Sequence, residues 1–531
     1  MSRNRLGFAL LVCLFLAAAA MAQTAPMPGA NTTFEARVAA ILVEPLYRHA
    51  TFGLEIYSLD SDQSLFRLNA DQLFTPASTT KLLTEGTALA LLGPQYRFHT
   101  RVYAAGTLKH GELRGDLVVV ASGDPDLSNR IRPDGTLAFE NEDHAYDGSP
   151  YTKAVPGDPL AVLRELALQV AARGIRKIKG RVLVDVGLFP EGARELGTGT
   201  VISPMCVNDN IVDVTIGPGA APGAPVTLHV SPATAYVRFI NQATTGAAGS
   251  KPEIRWGSDR EAADGSHAVT VTGAFPQAMA PILYAYAVPL PSRFAEMALA
   301  QELRAEGVSF EPSKAAAPAW PMLRAWYSTS HLVAEHVSPP LYEDVRITLK
   351  VSQNLHASMM PFVVGAVLGH SGAGAKQAGF DLERDFLQKA GLDLTAASQG
   401  DGAGGAQSAF FTPDFVVHYL AFIAKQPYYS LFYRSLPVLG RDGTLWDIQT
   451  LSPAAGKVHA KTGTFGAYDA LNKNLMVTGK GLAGFMTSAR GHHLAFAFYA
   501  NHVSVPLDGA DPAEVVGQTL GELAAAAYQL E

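Results

Sequence analysis

Cysteine is almost missing from this chain of 531 residues, which carries only Cys13 and Cys206. Cys13 lies in the leading apolar stretch, so a chain trimmed of that stretch keeps one thiol and forms no intramolecular disulfide. A lone cysteine is more often a small buried hydrophobe than a nucleophile. No pattern sets a histidine beside Cys206, which is expected in the core. Charge is sparse as well: charged residues make up 17%, no run of like charges reaches five, and the net charge is −7. Those features exclude bulk nucleic-acid binding, a polybasic membrane patch and an acidic tail. With 48% hydrophobic residues the chain is globular, not disordered. Its length excludes a small scaffold and predicts three or four domains, or one large domain with insertions. No internal repeat is visible.

The first residues do carry a pattern. Arg3 and Arg5 precede an apolar stretch from Leu6 to Ala20, followed by Ala20-Met21-Ala22. A basic start, a short apolar core and small residues at a cut site predict a secretory signal over residues 1–22, cleaved after Ala22. The alternative, an uncleaved anchor, is disfavoured because the stretch is short of the roughly 20 residues that span a bilayer. Val12 before Cys13 argues against a lipoprotein cut. No later segment is long and apolar enough to span. The apolar segment from Ala513 to Leu530 has acids but no Lys or Arg on its polar face, so core packing is expected of it, and peripheral membrane association at most.

Beyond a linker from Gln23 to Thr33, the pattern predicts a helix near Phe34 to His49, then a hairpin starting at Thr51. Thr75-Pro76 is expected to open a largely buried helix, with Thr75 as its N-cap. From Arg101 to about Ala280 the texture is short β-rich runs with turn signals, and one clear helix from Leu160 to Arg173. Helices are expected again at Ser292 to Glu306, Leu341 to Leu368, Gln377 to Ala390 and Pro413 to Lys425. Strands at Lys457 to Thr464, Gly481 to Ser488 and His493 to Asn501 precede the last helix.

Three short motifs carry chemistry. In Ser78-Thr79-Thr80-Lys81, residues three apart share a helix face, so the hydroxyl and the amine can meet. Serine needs a base, and lysine serves as one when burial or a second cation keeps it neutral. Ser352-Gln353-Asn354 falls between two helical runs, where a loop can present a second hydroxyl and a carboxamide. Lys461-Thr462-Gly463-Thr464 sits on a strand by alternation. It offers a cation, two hydroxyls, a glycine for close backbone approach and an edge for an extended peptide. Each motif alone is weak; K-T-G arises by chance in roughly one chain in ten of this size. The order and settings together, helix start, inter-helix loop and late strand, are far more specific.

This triple is the signature of β-lactamases and penicillin-binding proteins. The chain resembles the low-molecular-mass class C penicillin-binding proteins, D-alanyl-D-alanine carboxypeptidase/endopeptidases of the penicillin-binding protein 4 type. Beyond the triple, the resemblance includes Pro76 to Lys81, the turn Gly111 to Leu117, Gly123-Asp124-Pro125 with Leu127, Leu436 to Gly440 before Asp442 to Leu445, and Ala460 to Gly463. It covers most of residues 34–505. The 274 positions from Ser78 to Ser352 exceed what a compact β-lactamase leaves there, and this family fills the gap with inserted domains.

The resemblance implies an α+β fold: a β-lactamase/transpeptidase-like domain, an antiparallel sheet flanked by helices, built from residues 34–95 and 335–531. A large mostly-β insertion of one or two subdomains would occupy residues 96–334. It implies a nucleophile, Ser78, with Lys81 as general base and Ser352 as proton relay. Asn354 would hold the substrate amide, and Lys461, Thr462, Gly463 and Thr464 would hold a carboxylate. Backbone N–H groups of Ser78 and Thr464 would form the oxyanion hole. The implied partners are peptidoglycan stem peptides, with β-lactams as covalent inhibitors, in an extracytoplasmic compartment such as the periplasm. No cofactor, metal or nucleic acid is implied, and the oligomeric state stays open. Two other readings stay open as well: a β-lactamase, and a catalytically idle cell-wall-binding protein.

Three departures from the family pattern bear on turnover. Asp401 to Ala406 reads D-G-A-G-G-A where the family has D-G-S-G-L-S, Ser358 stands where an acid is common, and Asn472 to Lys480 looks inserted. Other motifs are weaker. Gly369-His370-Ser371-Gly372-Ala373 lacks the last glycine and the preceding strand of a nucleophile elbow. His492-His493 has no carboxylate or cysteine at metal spacing, and Gly402 to Gly405 lacks phosphate-loop spacing.

Overall fold

The computed structural model describes residues 33–311, 318–370, 372–507 and 511–530. The expected signal, its cleavage site, Cys13, most of the linker and Ser371 lie outside the described residues.

The fold is α+β. Its main sheet is six-stranded and antiparallel, in the order Val458–Asp469, Asn474–Thr487, His493–Asn501, Thr51–Ser58, Gln63–Leu68, with Val503–Pro506 on the flank of Asn474–Thr487. Side chains of successive strand residues point to opposite faces. Along His493–Asn501 both faces are apolar: Phe496 and Phe498 enter one core, Ala495, Ala497 and Tyr499 the other. The sheet must therefore be covered on both sides. The first core is closed by the helices Phe34–Leu42 and Pro512–Tyr528, whose Val516, Leu520 and Leu523 are buried in it. The second is closed by Lys81–Leu91, Leu341–Lys350, Asn354–Leu368, Ala375–Lys389 and Pro413–Ala424. The terminal helix thus packs in the core, as its acidic polar face suggested.

Between Leu91 and Leu341 lie three further sheets. The largest, six-stranded and mixed, runs Ser309–Phe310, Lys177–Lys179, Glu112–Val120, His99–Lys109, Leu332–Val337, with Val182–Asp185 beside Glu112–Val120. The helices Ala161–Ala172 and Pro291–Ala305 cover it. The strand Leu332–Val337 returns to pair with His99–Lys109, so the inserted sheet extends past residue 334. Two smaller sheets are built from residues 211–287. The inserted stretch is welded to the main core: Phe189, Ile202 and Cys206 are buried there, and the ring of Phe189 stands 5.3 Å from that of Phe362. Cys206 is a core residue, and burial pushes its thiol well above the ordinary range.

Two local expectations need correction. Thr75 caps nothing: the turn Ala77–Thr80 is 3₁₀, begins after Pro76 and has no side-chain cap, and the α-helix starts at Lys81. Asn472 to Lys480 is no loose insertion, because Asn474 pairs with Asp469 and Lys480 with Thr464, so both strands of the hairpin are simply longer than read. His493 stays exposed, as expected of a histidine at a hairpin turn without metal spacing, and its Nδ1 lies 2.9 Å from Asp60, on the turn between the first two strands. Sequence spacing could not reveal a partner 433 positions away.

Candidate active site

The expected side chains converge at one end of the main sheet. Ser78 lies in the 3₁₀ turn, and Lys81, fully buried, opens the α-helix that follows. Lys81 Nζ donates to Ser78 Oγ at 2.7 Å, to Asn354 Oδ1 at 2.7 Å, to the Ala403 carbonyl at 3.2 Å and, more distantly, to Ser352 Oγ at 3.4 Å. Burial lowers the amine from 10.5 to about 7; Glu195, Asp401 and Glu85 restore part of its affinity for a proton. A lysine so placed is neutral in a large fraction at neutral pH and can take the serine proton.

Ser352 sits between the two helices with φ of +63°, a conformation that costs a non-glycine residue about 1–2 kcal/mol. Its surroundings hold it there. Tyr146, from the inserted stretch, donates its hydroxyl to the Ser352 carbonyl. Gln353 turns away from the cleft and donates to Asp143 at 3.1 Å and Asp209 at 3.2 Å. Asn354 then starts the next helix, pressed against Gly197, where a Cβ would stand 2.2 Å from Asn354 Nδ2.

Lys461 is also fully buried; its Nζ donates to Ser352 Oγ at 2.9 Å and to the Thr462 carbonyl at 2.8 Å. Burial, then the nearby Lys81 and Lys480, hold it well below the ordinary lysine value. Thr462 donates to Thr444 at 2.7 Å. The need for a glycine at 463 is steric: a Cβ there would lie 2.4 Å from the Pro76 carbonyl and 3.1 Å from the Ser78 nitrogen. The strand and the serine turn therefore pass backbone to backbone. On the opposite side the Asp401 carboxylate gathers the Gly404 and Gly405 amides, and Gly402 accepts from Thr84. This ties the altered 401–406 segment to the helix of Lys81.

A cleft of about 980 Å³ opens on these groups, lined by Ser78, Ser352, Asn354, Thr462 and Thr464 and walled by Tyr146, Tyr151, Trp446 and Lys480. All eight expected site residues thus stand in or beside one cleft. Tyr146, Gly197, Thr444 and Lys480 were missed. Only the three-dimensional return of the insertion brings Tyr146 and Gly197 here, and Lys480 was hidden by reading its strand as an insertion.

The arrangement defines a class: serine enzymes of the penicillin-binding and β-lactamase fold, with a lysine beside the serine of the first motif and a K-T-G strand along the cleft. Residues 34–520 match the model of the D-Ala-D-Ala carboxypeptidase 3 (S13) family, and the chain belongs to that family. It is 28% identical over 454 residues to a D-alanyl-D-alanine carboxypeptidase of an Actinomadura species, covering 82% of this chain and 76% of that protein. It is 26% identical over 475 residues to the D-alanyl-D-alanine carboxypeptidase DacB of Haemophilus influenzae, covering 87% and 88%. The fold matches the crystal structure of penicillin-binding protein 4 from Haemophilus influenzae with a TM-score of 0.68 at 22% identity, over 90% of this chain and 97% of that one. A second structure of that protein, complexed with a β-lactam, matches equally well at 24% identity.

Proposed function

We propose that the protein is a serine-type D-Ala-D-Ala carboxypeptidase and/or endopeptidase acting on peptidoglycan stem peptides. The observation that carries this is the 2.7 Å contact between Lys81 Nζ and Ser78 Oγ, made by a buried amine whose pKa burial lowers to about 7. Membership of the S13 family supplies the substrate class.

Ser78 Oγ attacks the carbonyl of the penultimate D-Ala while its proton passes to neutral Lys81. Backbone N–H groups of Ser78 and Thr464 receive the oxyanion, and Asn354 orients the substrate amide. The proton then moves from Lys81 through Ser352 to the leaving nitrogen, the C–N bond breaks, and an ester on Ser78 remains. Water cleaves the ester and restores the serine. A β-lactam enters by the same attack, but its leaving nitrogen stays tethered.

The catalytic unit comprises residues 34–95 and the segment after the strand Leu332–Val337, with the intervening stretch inserted. Work on a cell wall requires export, in keeping with the signal pattern of residues 1–22. Among the described residues no helix is long and apolar enough to cross a membrane.

The test is labelling of purified residues 23–531 with a fluorescent penicillin over time, beside Ser78→Ala. Stable labelling of the wild type alone is expected. Rapid loss of label would mark a β-lactamase, and a folded wild type that never labels would mark an idle binding protein.

A further inference from the structure

The sequence assigns the substrate carboxylate to Lys461, but the geometry points to a different lysine. Lys461 does not line the cleft. Its Nζ is turned to Ser352 Oγ and the Thr462 carbonyl, so it is placed to set the proton relay. Lys480 does line the cleft. It stands directly across the ladder from Thr464, and cross-strand neighbours project from the same face. Its Nζ donates to Thr464 Oγ1 at 2.7 Å. Thr464 itself is exposed to the cleft.

Lys480 is only 8% exposed, and among the described residues no carboxylate is within ion-pairing distance of it. Buried charges are normally paired, and an ammonium has three donors to place. One is used. The acids that face it, Asp447, Asp511 and Glu514, line the same cleft and act on it only at longer range. Space for the side chain is kept by the terminal helix, where a Cβ on Gly517 would lie 3.2 Å from Lys480 Cε. The fold therefore holds an unpaired cation, through Thr464, beside the strand that lies against the Ser78 turn.

We propose that Lys480, acting with the Thr464 hydroxyl, receives the free α-carboxylate of the residue that leaves during cleavage. This rests on the peptidase reading above and makes Lys480 a specificity determinant for peptides with an ionised acid on the leaving side. No covalent step changes: the carboxylate is bound, the C–N bond breaks, and the acid departs with the released amine.

The experiment compares two synthetic peptides with the same D-Ala-D-Ala end, one a free acid and one a C-terminal amide. Their kcat/KM values are measured for the wild type, Lys480→Met and Lys480→Arg. In the wild type the acid is preferred. Lys480→Met is expected to reduce the acid-to-amide ratio by about ten- to a hundredfold, the scale of one charge-assisted hydrogen bond. The reduction should come mainly through KM for the acid, and Lys480→Arg should restore much of the ratio. A purely structural role would lower both peptides together and leave the ratio unchanged, which overturns the proposal; so does an unchanged ratio with unchanged rates. If the wild type cleaves neither peptide and never acylates, the peptidase reading itself falls and takes this assignment with it.

Discussion

Gln353, the residue between the two cleft-facing members of the S-x-N loop, points its side chain away from the cleft and donates to Asp209 at 3.2 Å. Asp209 is fully buried and is the hub of an ionic cluster. Arg130 and His144 reach its Oδ2, and His356 lies 3.1 Å from its Oδ1. The loop that carries Ser352 and Asn354 is thus anchored from behind by residues of the inserted stretch.

Asp209→Asn should therefore destabilise the protein by about 2–3 kcal/mol, because it removes the carboxylate that three buried cations share and leaves Arg130, His144 and His356 with Asp143, Asp213 and Asp344 alone. The effect depends on pH in a definite direction. Burial opposes charge on His144 and His356, but their neighbouring carboxylates outweigh it and raise both well above 6.5. Burial likewise opposes charge on Asp209, yet Arg130 and His356 win and hold it well below 3.8. Raised histidines stabilise fully below the unfolded value and lose their contribution as pH rises through the folded one; a lowered aspartate does the reverse on the acid side. Denaturant titrations should give the largest difference between wild type and variant at pH 4 to 6.5, shrinking towards alkaline pH. A difference that grew with pH would contradict this charge assignment.

Lys81 predicts the pH profile of acylation. Its pKa of about 7 means that the neutral, proton-accepting fraction falls about tenfold per unit below that value. The second-order rate of labelling by a fluorescent penicillin should rise through pH 6 to 7 and level off above 8. Lys81→Arg keeps its charge throughout and should lose about 10²- to 10⁴-fold. A flat profile from pH 5 to 9 would remove Lys81 from the role of base.

How much of this was legible in the sequence depended on distance along the chain. Ser78 and Lys81 share one turn, and the K-T-G strand announces itself by alternation, so local spacing sufficed. The β-rich stretch between the motifs was readable because turn signals and periodicity are local, whereas the α+β class came from the resemblance that the motifs carry. Tyr146, Gly197 and Asp209 were not, because they approach the site only through the tertiary return of the insertion. Lys480 was missed for another reason: the segment around it reads as an insertion, whereas pairing with Thr464 on one side and Ala500 on the other makes it strand. The 401–406 segment carries no hydroxyl side chain, yet its backbone provides the Ala403 carbonyl to Lys81.

Tyr146→Phe tests the inserted stretch more gently. It deletes one donor to the Ser352 carbonyl, a bond worth about 1 kcal/mol to stability. Since that carbonyl belongs to a residue held at positive φ, the loop should relax. Acylation should slow by about tenfold or less, and thermal melting should fall slightly. An unchanged rate with a lowered melting temperature would mean that the tyrosine only supports the fold.

The last prediction concerns Gly404, on the altered segment. It has φ of +85°, and a Cβ would fall 1.9 Å from the carbonyl oxygen of Ala77, the residue just before Ser78. Backbone cannot yield as a flexible side chain can, so Gly404→Ala must push the serine turn, the segment or both. Two costs are mixed here, the strain of positive φ and the steric push. Gly391→Ala separates them, because Gly391 has φ of +78° and nothing within 4 Å of its Cβ position. That control should lose about 1 kcal/mol of stability with acylation unaffected. Gly404→Ala should lose more stability and slow labelling of Ser78 by at least tenfold, since proximity effects of this size follow displacements of about 1 Å. Equal labelling rates in the two variants would mean that the segment moves alone, and that the Ser78 turn owes its position to the K-T-G strand on its other side.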